Sequence, residues 1–375
     1  MQTANRLVAT LNGDLEATAT PVSQRRLCAA KRAFTTRNVQ LEKACGLITG
    51  GVQPHIGDLA LARVTSLGQH KRIEAPSGRR CTLHVGDEVI VAFGGRYATD
   101  QFHAEPPNVL KPCELVAGGG VAAAASAKHS RMKGATKIAP IGLLADAEGR
   151  PMNLVDYPTQ DLADPAANID RPPIVAVLGT SMNAGKTAAV ASLVRGGAGR
   201  GERIGVAKIT GTGSGGDLWA ARDAGAFEAI DFTDAGYPST YKIGAAAILD
   251  IFDRLTATLA ERGAERIVVE IADGLLFKET ADLVQSDLFA EKVDRIVLAA
   301  GDGMGAVASE RMLQDYGYQA ATLTGVFTSA PLALAEVAAA AAAPVTHTDD
   351  LISFDLDAAR PALPAANHQA LVAAE

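Results

Sequence analysis

The chain has 375 residues, 48% of them hydrophobic and 21% charged, and its formal net charge is −7 at pH 7. That length and balance fit a soluble globular protein of two domains. They exclude a whole-chain electrostatic footprint for nucleic acid, and an aromatic share of 5% weighs against stacking on single strands. The opening "MQTANRLVATLNGDLEATAT" has no basic segment leading into an apolar core. The most apolar runs, 121–127 and 332–344, are Ala-rich and too short to span a bilayer. A cytoplasmic protein without membrane or nucleic-acid partners is the expectation.

Residues 1–115 read as a small β-rich, barrel-like domain. A helix with a basic face is predicted around 25–44, carrying Arg25, Arg26, Lys31, Arg32, Arg37 and Lys43. After it, 57–74 and 78–94 alternate apolar and polar positions between Gly-containing turns, the pattern of antiparallel strands. All four cysteines, Cys28, Cys45, Cys81 and Cys113, precede residue 115 at irregular spacing. Cys81 and His84, with Cys45 or His103, offer zinc ligands. Buried, reduced thiols are the plainer reading. The stretch "FGGRYATDQFHAE" gathers Arg96, Tyr97, Asp100 and His103, either to meet a substrate or as an ordinary loop. Residues 116–170 read as a transitional segment and linker, small and basic first, then rich in Pro and Asp, with a boundary near Asp170.

From Pro173 onward strands alternate with helices. Buried strands are predicted at 174–179, 203–210, 266–272, 295–300 and 321–327. A helix is predicted at 186–195, and a helical stripe at Ile248, Ile251, Phe252, Leu255 and Leu259. Ser329 and Pro331 stand where an N-cap and a first-turn proline open a helix. Near-continuous apolar strands with helical crossovers define an α/β fold, a mostly parallel, doubly wound sheet over 171–350, followed by a tail at 351–375.

The first of these strands runs into "GTSMNAGKT" and then a helix. Such a loop delivers backbone N–H groups and a helix N-terminus to the carboxyl edge of the sheet, an anion cradle. The cradle comprises Gly179, Thr180, Ser181, Met182, Asn183, Ala184, Gly185, Lys186 and Thr187. Lys186 suits the outer phosphates and the Thr187 hydroxyl suits Mg²⁺. Glu270, at the end of "RIVVE", is a carboxylate aimed at the same crevice; its alternative is an ion pair with Lys278.

Five residues separate Gly179 from Gly185 where the usual phosphate loop has four. The order Gly-Thr-x-x-x-x-Gly-Lys-Thr resembles the loop of dethiobiotin synthetase and its relatives. That branch of P-loop NTPases also holds the septum-site ATPases and several metallochaperone GTPases. The resemblance covers 174–330. It implies that Lys208, ending the second strand in "VAKITGTGSGGD", lies near the γ-phosphate and substrate, and that Glu270 in "VVEIADG" serves metal or substrate. It also implies a homodimer. Two features depart from the pattern: Ser181, Met182 and Asn183 are uncharged where the synthetase usually has acids, and the early lysine of the septum-site ATPases is missing.

Among Asp217, Asp223, Asp231 and Asp234, the first and third are the metal candidates, with helix-cap roles as the alternative; Asp217 joins Thr187 and Glu270 in the expected metal set. "AAGDGMGA" after the fourth strand lies near the expected base, and the absence of Asn-Lys-x-Asp favours ATP over GTP. The leading expectation is an ATP- and Mg²⁺-dependent ligase or phosphotransferase, with Lys186, Lys208 and Glu270 catalytic and a small carboxylate or carbamate as substrate. The alternatives are a nucleotide-dependent switch or chaperone NTPase, and an acyltransferase holding coenzyme A on the loop.

Overall fold

In the strand Leu59–Ser66 successive residues point to opposite faces, and both faces are apolar at its start. Ala60, Ala62 and Val64 join Val89, Val91, Phe93, Ile138 and Leu143 in one core. Leu59 and Leu61 join Ile90, Ala92 and Leu144 in a second core on the other side. The strand therefore lies inside its sheet. It pairs antiparallel with Glu88–Phe93 and with Thr136–Ala145. The protein is seen here as a computed structural model that describes residues 18–165, 171–359 and 361–363. The opening stretch, the boundary at Asp170 and the tail from residue 364 lie outside the described residues.

This first unit is built on a ten-stranded sheet. Its chain runs to Gln160 and is joined by Thr212–Gly216 and Phe232–Ile243. Residues 116–145, expected to be transitional, instead supply the strands Val121–Lys128 and Thr136–Ala145. The alanines that suggest flexibility are buried at the start of the first of these, where Ala122 and Ala123 are fully enclosed.

The helix expected over 25–44 is also corrected. Only Gln24–Ala29 is helical, followed by the short strand Lys31–Arg32 and two single 3₁₀ turns. Its basic side chains tie the chain down rather than face solvent together. Arg26 makes a bidentate pair with Glu88, and Arg32 donates to the carbonyls of Thr36, Arg37 and Val39. Arg37 Nη2 lies 2.7 Å from Asp234 Oδ1.

The cysteines are free, and Cys28 and Cys45 are exposed rather than buried. Burial pushes the Cys113 thiol up to about 12. Among the described residues no group of three or more His, Cys, Asp or Glu side chains gathers to hold a metal.

The second unit comprises Asp161–Gly211, Asp217–Asp231 and the chain from Gly244 onward. Its six strands are all parallel, in the order Glu228–Asp231, Ile204–Lys208, Arg266–Glu270, Ile174–Gly179, Arg295–Ala299, Thr322–Thr324. Four of them are buried along their whole length; Ile174–Gly179 reads accordingly as an unbroken apolar run, and Ile204–Lys208 and Arg266–Glu270 break theirs only at their ends. The edge strand Glu228–Asp231 was not expected; its four residues begin and end with an acid and lack a recognisable period.

The helix Lys186–Gly199 extends beyond its expected end, and Ala245–Glu261 buries the predicted stripe. Ser329 does not cap the next helix: it closes a 3₁₀ turn, and Ala330 precedes Pro331 at the first position of Pro331–Ala340. Among the described residues no helix is long and apolar enough to cross a membrane.

The sheet order places a ligand crevice. From Ile174–Gly179 the chain departs toward one edge of the sheet, and from Arg295–Ala299 toward the other. These two strands are neighbours in register, Gly179 opposite Ala299. Outside the carboxyl ends of such a pair the connecting loops part, leaving the opening that ligands occupy in open α/β sheets. A strand, a Gly-Lys-Thr loop and a helix meet at that point, the arrangement of a P-loop nucleotide-binding fold.

Candidate functional site

The loop between Gly179 and Lys186 turns because two of its residues take left-handed backbone. Asn183 has φ 62° and Gly185 φ 102°; asparagine tolerates that region and glycine adopts it freely. Gly185 is the N-cap of Lys186–Gly199, and no side chain caps this helix end. The first amides of the helix are thus left without an intrahelical acceptor, which is what an anion cradle needs. Thr180 anchors the loop's start, its N–H donating to the Ala299 carbonyl at 3.0 Å. At the other end the Ala184 carbonyl accepts from Val326 N–H at 3.1 Å. Ser181 and Asn183 are exposed at the tip, and Ala184 is buried.

Lys186 lies folded back into the loop. Its Nζ donates to the Ser181 carbonyl at 2.8 Å and the Asp273 carbonyl at 3.0 Å. Burial draws the ammonium down to about 8; Glu270 and Asp273 work against this shift, and the like charge of Lys208 adds to it. Asp273 itself has φ 65°. The next residue, Gly274, sits against the loop, and a Cβ there would lie 2.1 Å from the Thr180 carbonyl oxygen. Asp273 and Gly274 stand in the sequence at the end of "VVEIADG", after Glu270. Their service to the loop was missed, because a backbone carbonyl leaves no signature in residue type.

Thr187 Oγ1 lies 3.0 Å from Asp217 Oδ1 and 3.1 Å from Glu270 Oε1. Three elements meet here: the start of the loop's helix, the first turn of Gly216–Asp223, and the end of Arg266–Glu270. Lys208 ends the neighbouring strand, directly opposite Glu270 in register. Its ammonium pairs with Asp217 and lies 3.8 Å from Glu270 Oε1. Lys208 is 9% exposed and Glu270 3%, so these charges meet where water screens them poorly. Glu270 does not pair with Lys278, which instead reaches Asp282 along its own helix.

The remaining aspartates separate by position. Asp223 is exposed at the end of its helix. Asp231 is fully buried and stands opposite Lys208 in the register of the edge strand. Asp234 belongs to the first unit, where Arg37 and Asn38 hold it. After Arg295–Ala299, Asp302 caps the helix Gly303–Asp315 by accepting from Gly305 N–H at 2.8 Å.

The oxygen set of Thr187, Asp217 and Glu270 fits a magnesium ion, which relies on one or two carboxylates plus phosphate oxygens rather than on a cage made wholly of protein. The uncapped helix start and two adjacent ammonium groups fit the phosphates themselves.

No protein-family model matches the chain, and no curated protein matches it. Solved structures do. The signal recognition particle 54 kDa protein from Aeropyrum pernix K1, in complex with GDP, is 20% identical. That match covers 59% of this chain and 53% of that one, with a TM-score of 0.35. The signal recognition particle receptor FtsY from Elizabethkingia anophelis, also with GDP, is 12% identical over 44% of this chain and 52% of that one, with a TM-score of 0.31. Chloroplast FtsY from Physcomitrella patens is 16% identical over 52% and 66%, with a TM-score of 0.32. The chain thus spans about half the length of the first two. The fold assignment rests on the sheet order and the loop, independently of these likenesses. None of the three is a synthetase, and two hold GDP. Kinship with the dethiobiotin synthetase branch, ligase chemistry and a choice of ATP therefore gain no support from them.

Proposed function

We propose that the protein is a Mg²⁺-dependent nucleoside triphosphatase whose second unit binds a nucleotide on the Gly179–Thr187 loop and responds to it as a switch. The observation that carries this is the Thr187 hydroxyl set between the Asp217 and Glu270 carboxylates, with Lys208 held on Asp217. Lys186 and the helix amides would hold the phosphates; Thr187, Asp217 and Glu270 would hold the metal. Bound Mg²⁺ supplies charge neutralisation on the phosphate oxygens. Asp217 then faces two claims, from the metal set and from the Lys208 ammonium. Release of Lys208 from Asp217 frees a cation at the carboxyl edge of the sheet and loosens the start of Gly216–Asp223. That is a discrete rearrangement driven by ligand chemistry.

A second reading is phosphoryl transfer to a small carboxylate or carbamate, as in a ligase. The position of Lys208 favours it: an ammonium beside the phosphate loop, at the end of the adjacent strand, suits the charge that develops between a γ-phosphate and an anionic acceptor.

Binding of ATP and of GTP by calorimetry, with and without EDTA, tests the common core of both readings. Lys186→Ala should abolish most affinity for whichever nucleotide binds, and Thr187→Ala should remove the Mg²⁺ dependence. Unchanged titrations would leave the loop without this role. Lys208→Ala separates the readings. A transferase loses roughly 100- to 1,000-fold in acceptor-dependent turnover with nucleotide affinity kept. A switch keeps basal hydrolysis within a few-fold and loses the difference between its empty and bound forms.

A further inference from the structure

The first unit contains a cleft of its own, of about 610 Å³, a size common for sites that hold small molecules. Four of its lining side chains are cationic, Lys71, Arg72, Arg80 and Arg96, against one carboxylate, Glu74. In a chain with a net charge of −7 this is a local reversal of sign. The reversal is built by pairing. Arg72–Glu74 and Arg80–Thr82 form an antiparallel pair in which Arg72 faces Thr82 and Glu74 faces Arg80. Ile73, between them, turns to the opposite side and is fully buried. The alternation thus gives Arg72, Glu74 and Arg80 one common face.

The rest of the wall is fixed. Arg96 is 7% exposed, and its Nη2 donates to Gln101 Oε1 at 2.8 Å. His70 Nδ1 lies 3.2 Å from the Leu115 carbonyl. Burial and the nearby Arg96 charge hold the His70 ring down at about 4. The ring is therefore neutral at pH 7, and with Nδ1 donating to that carbonyl its Nε2 is an acceptor. Thr212 and Ser214 complete the lining, and Glu74 accepts from Ser214 Oγ at 3.2 Å and Gly215 N–H at 3.0 Å.

We infer that this cleft binds a small polyanion, a metabolite bearing two or more closely spaced carboxylate or phosphate groups. Exposed Arg72 and Arg80 offer guanidinium forks to such groups, since two oxygens of a carboxylate or of a phosphate can accept the paired N–H donors of one fork. Buried Arg96 supplies a fixed positive field that a mobile side chain does not. The inference does not rest on the nucleotide reading, since every lining residue belongs to the first unit.

Two probes distinguish the sources of the oxyanion, citrate for carboxylates and inorganic pyrophosphate for phosphates. Each is titrated calorimetrically into the full chain, into the Arg72→Gln, Arg80→Gln double variant, into Arg79→Gln, and into Lys186→Ala. At least one probe should bind the wild type, and the double variant should bind it roughly tenfold or more weakly, the scale of losing charge-assisted contacts. Arg79 is exposed on the adjoining turn but does not line the cleft, so Arg79→Gln should stay within about twofold if the site is specific rather than a diffuse field. Lys186→Ala should likewise keep the cleft's affinity. The inference is overturned if neither probe binds, if Arg79→Gln weakens binding as much as the double variant, or if only Lys186→Ala loses it. The last result would place the anion on the phosphate loop.

Discussion

The space a β-carbon would need at Gly274 is occupied by the Thr180 carbonyl, 2.1 Å away. The backbone after Glu270 thereby presses on the phosphate loop from one side, while the Asp273 carbonyl holds Lys186. Gly274→Ala should therefore act twice. Overpacking against backbone costs about 1–3 kcal/mol of stability, and displacement of Thr180 and Ser181 weakens nucleotide binding beyond what the stability loss explains. Thermal unfolding beside nucleotide titration checks this; a variant with normal affinity would show that the loop does not depend on the contact. At this scale the sequence was half legible. The candidacy of Thr187 follows from residue type and spacing, a hydroxyl after Gly-Lys at the head of a helix, and its hydroxyl lies beside the Asp217 and Glu270 carboxylates. The contributions of the Ser181 and Asp273 carbonyls do not, because any residue carries a carbonyl and only the path of the chain aims it.

Elements were legible where one force dominates. The buried parallel strands are apolar on both faces and stand out as runs, and the helix Ala245–Glu261 keeps its stripe at helical spacing. Glu228–Asp231 failed to register because an edge strand needs only one flank, and four residues with acids at both ends carry too little pattern. The basic stretch after Gln24 misled for a different reason: its cations serve elements far away in sequence. Arg26 and Arg63, from a short helix and an interior strand, converge on Glu88 at the head of a third element. Hydrogen bonding to Arg26, then Arg63, holds the Glu88 carboxyl down at about 2 against an ordinary 4.5. The unfolded chain binds that proton first, so the cluster's stabilisation is complete above pH 4.5 and is lost as pH falls toward 2. These groups are partly exposed, so Glu88→Gln should cost no more than about 1 kcal/mol at neutral pH. The variant and the wild type should converge at the acid end of a denaturation series; a difference that persists at pH 2 would point to lost packing instead.

On the scale of the molecule, two compact units are built from six stretches of chain, because Thr212–Gly216 and Phe232–Ile243 belong with the residues up to Gln160. The later of these segments brings Asp234 to Arg37 and Tyr241 to His103, the latter at 2.9 Å. A fragment ending at Gln160 should therefore unfold at least about 5 °C below the same unit in the full chain, the effect of losing a few partly buried hydrogen bonds. A peptide spanning 228–243 should restore part of the difference. Equal melting temperatures would mean that the segment adds nothing to the unit.

The interleaving also sets a timetable for synthesis. When residue 160 leaves the ribosome, the first unit still lacks a segment that ends at Ile243. At roughly 5–20 residues per second that segment is complete about 4–17 seconds later. During this interval Arg37 has not met Asp234, and the first unit carries a sheet whose strands are all made but lacks the segment that packs with it, while the phosphate loop and its strand are already being made. The first unit can therefore be completed only after synthesis of the second has begun, and the second is finished last, since three of its strands follow Ile243.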